Sequence, residues 1–406
     1  MIQDTLFEQF KVAAVDQAEL EALLLMHFHH ATGVNAKEIH YLRQGEECAL
    51  ALSYDANGKV RSLNAGPGLM DQDLTEIKQK INQLLIQTSG TSVGQTVLFA
   101  HQPVSGYFKY RDKFQIVPVP PEAPQLPIAV GDHPLLLQFT FPSSDDHHIQ
   151  LIRRSRIARE IELLCVAFTN GIGKGQSSIL RNHWVNVPAQ NQANHKSEYC
   201  QEIYLYEGQN CLADAFTETN EIPPIALAPS DAYYKRHGLA IGQNLDLPDA
   251  LENQLDCFFS APAEVRERFL RSSFWFQHAQ LVATLSKSAS FTALMSAIEA
   301  LMPEAIPTGH CDACNRPISI GSTRRFKDFV EQFIPDQQAS SADKGKLYSL
   351  RSALSHGGSL LHSDRNGWAA GMTSRSLEEW ASYDAMWRIV RIALANWIRT
   401  SSGEPR

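Results

Sequence analysis

WASYDAMWRIVRIALANW, residues 380–397, decides how the C-terminal third of this 406-residue chain folds. Trp380, Tyr383, Trp387, Val390, Leu394 and Trp397 recur in alternating steps of three and four, which returns them to one face of an α-helix. A helix of about 25 residues with one aromatic-rich seam is therefore expected. The seam reads as core or dimer interface, not as a ligand box.

Upstream of it the pattern stays helical almost without strands. Glu264 to Lys287 reads as one helix and Phe291 to Met302 as a second, stopped by Pro303. Ser322 to Phe333 gives a third, ended by Pro335, and a fourth runs from Asp343 to Ser355 before Gly357-Gly358. The stretch 303–321 reads as a loop holding His310-Cys311-Asp312-Ala313-Cys314. Before Pro262, the run Ile222-Pro-Pro-Ile-Ala-Leu-Ala-Pro229 breaks regular structure and reads as part of a linker.

Residues 1–220 mix the two periods. A helix over 17–30 closed by Gly33, a helix on Ile77, Ile81, Leu84 and Leu85, and a longer helix over 148–169 alternate with β-like runs. Cys48–Tyr54 and Val60–Leu63 flank Asp55-Ala-Asn57-Gly58-Lys59, a hairpin signal. Strands are also expected at 96–100, 113–118 and 134–141, with a pair near 183–187 and 199–206. The expectation is a multidomain α+β chain: a mixed N-terminal sensing or regulatory domain over 1–220, a linker over 221–261, and an all-α helical bundle over 262–402.

Composition narrows the function classes. The chain is 44% apolar, with net charge −8, so net charge gives no general grip on polyanions. The charge is uneven: 17 Lys/Arg against 14 Asp/Glu over 261–406 leave that third net positive, while residues 1–260 carry 19 against 30. Seven scattered cysteines do not read as a disulfide framework. No apolar run reaches the roughly 20 residues that span a bilayer, and MIQDTLFEQF lacks a basic leader. A cytoplasmic protein with no membrane partner is expected.

The fourth helix carries the candidate chemistry, Lys346-Leu-Tyr348-Ser-Leu-Arg351-Ser352-Ala-Leu-Ser-His356-Gly-Gly. Leu347, Leu350 and Leu354 form its apolar stripe, with Tyr348 and Ser352 on the polar side. Arg351 and His356 lie about 140° apart around an ideal helix. A guanidinium that neutralises a phosphate and an imidazole at a helix C-terminus that moves a proton suffice for RNA cleavage without a catalytic metal. The spacing alone is uninformative, because 22 Arg and 15 His generate it by chance, as the second pair Arg271–His278 illustrates. That pair reads as structural.

The pattern Leu347-Tyr348-x-x-Arg351-Ser352-x-x-x-His356-Gly357, after a Cys-x-x-Cys loop and before an aromatic last helix, resembles the Apea-like branch of the HEPN superfamily over residues 262–402. The resemblance implies a helical bundle that pairs about a two-fold axis as a homodimer or dimer of dimers. It implies a metal-independent endoribonuclease acting on RNA, tRNA included, with Arg351 and His356 catalytic and Ser352 the polar residue after Arg. Tyr348 and Lys346 are the adjoining candidates for substrate contact. The implied biology is anti-phage defence, in which a phage-derived trigger sensed by the N-terminal domain releases RNA cleavage. The family also contains inactive bundles that only dimerise or hold a nucleotide or RNA, and in that alternative the N-terminal domain does the recognising.

Cys311-x-x-Cys314 suits tetrahedral zinc, a structural metal needing two more ligands, for which His310, His362 and Cys257 are candidates; two idle thiols are the other reading. Arg153, Arg154, Arg156 and Arg159 read as a solvated face or as an anion contact. His27-Phe-His-His30 and Asp145-Asp-His-His148 match no established ligand spacing and read as surface loops. Gly171-Ile-Gly173-Lys174-Gly175 lacks phosphate-loop spacing and reads as a turn.

Overall fold

The structure is a computed structural model. It describes residues 12, 15–43, 47–56, 58–86, 90–119, 133–173, 184–188, 197–201, 211–236, 243–304, 307–310, 314, 317–334, 344–366 and 373–401. In chain order come α1 (Gln17–Phe28), β1 (His30–Asn35), β2 (Glu38–Leu42), β3 (Cys48–Tyr54), β4 (Val60–Ala65) and α2 (Asp71–Ile86). Then follow β5 (Thr91–Ala100), β6 (Phe108–Tyr110), β7 (Phe114–Pro118), β8 (His133–Pro142), α3 (His147–Phe168), β9 (Ile172–Gly173), β10 (Trp184–Pro188), β11 (Ser197–Gln201) and β12 (Cys211–Ala213). β13 (Ala226–Ala228), α4 (Ser230–Lys235), β14 (Asp246–Pro248) and α5 (Leu251–Ser260) lead into α6 (Ala263–Val282) and α7 (Lys287–Leu301). The chain ends through β15 (Pro307–His310), β16 (Pro317–Ser319), α8 (Ser322–Phe333), α9 (Lys344–Ser355), α10 (His362–Asn366) and α11 (Ser374–Ser401). Mixed α and β structure is what the two sequence periods predict. Among the described residues no helix is long and apolar enough to cross a membrane.

The chain forms two compact units: residues 1–95, 138–158 and 211–216 in one, and 96–137, 159–210 and 217–406 in the other. In the first, β1–β4 form an antiparallel meander. Leu50, Leu52 and Leu63 from its strands meet Leu20 and Leu24 of α1, Ile77 and Ile81 of α2 and Ile149 of α3 in one core. The hairpin at 55–59 is as read: Gly58 takes the left-handed conformation its turn requires (φ 77°), and Asp55 and Lys59 close the turn through their backbones. The end of α1 differs from the reading. His29, not Gly33, takes the left-handed position (φ 62°) and sends its N–H back to the Leu25 carbonyl, while Gly33 lies inside β1. β1 is exposed at every position, so no apolar alternation marks it in the sequence.

The second unit holds residues 96–100 of β5 and 133–137 of β8 in one sheet with β7 and β6, with β9 paired to β5, and a set of helices around α7. α7 is buried nearly all round: Phe291, Leu294, Met295, Ala297 and Ile298 are each at most 2% exposed. Ser286 caps its start by accepting from the Ala289 N–H at 3.1 Å. α6, α9, α10 and α11 all pack against it. Small hydroxyls let these helices approach closely without stranding polar atoms. Ser272 donates to the Ala297 carbonyl (2.7 Å), and Ser290 to that of Ala279 (2.7 Å) while pairing with the Tyr383 hydroxyl (2.7 Å).

The stretch 221–261, read from the sequence as a linker, carries the parallel pair β13–β14 and the helices α4 and α5. Its prolines keep 222–225 irregular, but Tyr233, Leu247 and Phe258 beyond them are fully buried, and an aromatic pair of this size goes into a core. The seam of α11 is likewise mostly core. Tyr383, Val390, Leu394 and Trp397 are buried, whereas Trp380 is 48% exposed.

Candidate functional site

α9 is held by one face. Leu347, Tyr348 and Leu354 are buried, and the Tyr348 ring packs on Phe326 of α8 with centroids 5.6 Å apart. Arg351, three residues on, is thereby stationed beside the same ring, its guanidinium carbon 5.8 Å from the centroid. Its Nη2 lies 3.0 Å from Glu299 Oε2 of α7, and the Tyr348 hydroxyl reaches the other oxygen of that carboxylate at 3.4 Å. Both charged side chains remain about one quarter exposed, Arg351 at 28% and Glu299 at 25%. A guanidinium has five N–H donors, so anchoring through Nη2 leaves capacity for a second anion.

His356 is the first residue beyond α9 and is exposed. Its backbone N–H donates to the Ser352 carbonyl (3.1 Å), and Gly357, in left-handed conformation (φ 69°), donates to Leu354 (3.2 Å). Gly358 donates to Ala353 (2.9 Å). This glycine cap ends the helix at Ser355 and sets His356 at its negative pole. Downstream, Asp364 of α10 docks on the start of α7. That carboxylate accepts from Ser286 Oγ (2.7 Å) and from the N–H groups of Lys287 and Ser288 (both 2.8 Å) at the start of α7. Burial opposes ionisation there, yet the Ser288, Ser286 and Lys287 hydrogen bonds win and hold the carboxyl below its usual range.

The other expected site residues fall as follows. Ser352 is half-buried on α9 and supplies its carbonyl to the cap. Lys346 extends to Glu378 of α11 at 3.0 Å, an exposed pair. Tyr348 is 8% exposed, so its ring supports Arg351 instead of facing solvent for a substrate. Glu299 is the residue the sequence reading missed. Its signal was present, since it is the one acidic side chain in α7.

The loop expected at 303–321 contains a short antiparallel pair, β15 and β16, bracketing the cysteines. Cys311 lies outside the described residues, and Cys314 is exposed. Two cysteines spaced Cys-x-x-Cys in the sequence suit zinc chemically. Cys257, weighed as a further ligand, is 2% exposed within α5, with its thiol on Asn253 Oδ1 (3.9 Å), which spends it in the core.

The arginine run on α3 is largely engaged internally. Arg153 makes a two-pronged pair with Glu19 (3.0 and 2.7 Å), Arg156 pairs with Asp16 and Glu19, and Arg159 with Glu162 (2.7 Å). Asp146 caps α3, accepting from the N–H groups of His148 (2.9 Å) and Ile149 (3.2 Å), which accounts for one residue of the Asp-Asp-His-His cluster. His27 faces Asp73 at 3.3 Å. Gly171 does sit in a turn (φ 96°), followed by β9; Lys174 and Gly175 lie outside the described residues. Arg271 pairs with Glu267 (2.8 Å) and the His278 ring stacks on Phe274, so that second Arg–His pair has local uses. Compared with protein-family models, curated proteins and solved structures, the chain matches none.

Proposed function

We propose that this chain is a metal-independent endoribonuclease of the HEPN type, with Arg351 and His356 as the reacting pair. The observation that carries the reading is the presentation of Arg351: a partly exposed guanidinium anchored by Glu299 and Tyr348, one turn before an exposed histidine at the end of the same helix. In the proposed step the ribose 2′-oxygen attacks the adjacent phosphorus as His356 takes its proton. The bond to the 5′-oxygen breaks, and that oxygen leaves as a hydroxyl after receiving a proton from the imidazolium of a second His356. The products are a 2′,3′-cyclic phosphate and a 5′-hydroxyl. Arg351 offsets the charge that grows on the phosphate oxygens.

One helix separates the two groups by about 140°, so a composite cleft between two copies of the chain meets the geometry better than one copy does. A homodimer, or a dimer of dimers, is therefore part of the proposal. Structural zinc at Cys311 and Cys314 is a further part, and it has no role in the chemical step.

A second reading rests on the same ion pair. Glu299 competes with phosphate for Arg351, which suits a bundle that only dimerises, or that holds RNA or a nucleotide through other residues. Incubating the purified chain with RNA in EDTA separates the two. Cleavage with cyclic-phosphate ends that is lost in His356→Ala supports the enzyme, and RNA binding without any cleavage supports the binding module.

A further inference from the structure

Among its described residues the helical unit holds a cavity of about 280 Å³. An apolar cavity of about 150 Å³ takes up benzene, so this one has room for two fused rings. One wall is a row of aromatic side chains from α6 and α11. Phe276 meets Trp387 edge to face with centroids 5.3 Å apart, Trp387 adjoins Tyr383 at 6.1 Å, and Tyr383 adjoins Trp380 at 6.3 Å. Successive rings are turned by 64°, 37° and 73°, so a flat guest meets both ring faces and ring edges, the two arrangements aromatic pairs prefer. Ala283, a small residue at the end of α6, borders the same space.

The cations on the wall already have their partners. Arg388 pairs with Asp384 at 2.7 Å, Arg236 pairs with Asp246 at 2.5 Å, and Lys287 lies beside Asp364 with its ammonium over the rings of Trp380 and Tyr383. Arg391 is 3% exposed; its guanidinium sits against the rings of Tyr233 and Tyr234 and donates to the carbonyls of Tyr233 (3.2 Å) and Arg236 (3.3 Å). A charged guest would give up its hydration here without gaining an opposite charge of its own, so the site selects a neutral one. Two carboxamides remain open to it. Asn170 and Gln280 border the cavity, both half-buried, and neither side chain has a hydrogen-bond partner among the described residues. Each offers a donor and an acceptor, enough to hold one N–H or hydroxyl on the edge of a ring. We propose that this cavity binds a small neutral aromatic compound of one or two rings carrying a single N–H or hydroxyl, with its face against Tyr383 and Trp387 and its polar edge toward Asn170 and Gln280. The inference is independent of the RNA-cleavage reading, since the cavity shares no residue with Arg351, His356 or Glu299.

The test is calorimetric titration of the full-length protein with indole and 2-naphthol, two neutral probes of this size. Indole-3-acetate and tryptamine add a negative and a positive charge to the same ring system, and cyclohexanol keeps a hydroxyl without the aromatic face. At least one neutral probe should bind with a Kd of about 1 mM or below. Each charged analogue should bind at least about tenfold more weakly than indole, and cyclohexanol about threefold or more weakly than 2-naphthol, since ring–ring contact adds to area burial. Ala283→Phe puts a side chain into the space and should abolish binding; Ala283 is half-buried at a helix end, so the replacement empties nothing from the core. Trp387→Ala should weaken binding by about fivefold or more, with Tm showing that each variant is folded. No binding of either neutral probe at about 1 mM, charged analogues that bind as tightly as indole, or affinity unchanged in Ala283→Phe overturns the proposal.

Discussion

Glu19 and Arg153 are both 5% exposed and meet through two hydrogen bonds, so removing Glu19 strips the buried guanidinium of this carboxylate. Glu19→Ala should therefore destabilise the N-terminal unit by about 3–5 kcal/mol, read as a loss of Tm. A loss under about 1 kcal/mol would assign the pair the weight of a surface contact. Asp364 gives a second prediction. Its folded-state carboxyl is held low, so its contribution is complete above the ordinary aspartate value of about 3.9 and disappears as pH falls through the lowered folded value. Asp364→Asn should lower Tm at neutral pH and flatten its fall in acid; an unchanged acid limb would contradict this. At this scale the sequence is legible where a local pattern sets a residue's place, as Gly357 and Gly358 do for the end of α9 and the position of His356. Arg153 was not legible, because an arginine run looks the same whether its partner is solvent or a glutamate 134 residues away.

Element by element, α11, α7, α8 and α9 stand where the three-four periodicity and the stopping prolines and glycines set them. Their apolar faces are local properties of the chain, which is why they could be read. β1 and β6 could not. The first is exposed throughout and the second has three residues, so neither has the alternation that marks a half-buried strand. The Pro-rich stretch before Tyr233 misled for a related reason: proline breaks regular structure without preventing burial. The β15–β16 pair makes its own prediction. If Cys311 and Cys314 bind zinc, elemental analysis should return up to about one zinc per chain, and Cys311→Ser should lower both the metal content and Tm. Metal-free protein of equal stability would leave the two thiols idle.

At the scale of the whole molecule, the chain's uneven charge and its exposed apolar residues bear on assembly. Val390, Leu394 and Trp397 are spent in the core, so the seam's contribution to an interface reduces to its first turns, where Leu377 is 63% and Trp380 48% exposed. A dimer should appear by sedimentation, and mixing inactive Arg351→Ala with inactive His356→Ala chains should restore a fraction of activity. Full activity in a strict monomer would remove the shared cleft and leave the Arg–His chemistry standing. The measurement that bears most directly on the central claim is the end-group analysis of RNA incubated with the purified protein in EDTA. The account predicts 2′,3′-cyclic phosphate and 5′-hydroxyl ends that vanish in His356→Ala, whose exposed side chain lies outside the core. Cleavage that persists undiminished in His356→Ala, or intact RNA under every condition with the wild-type chain, would contradict it.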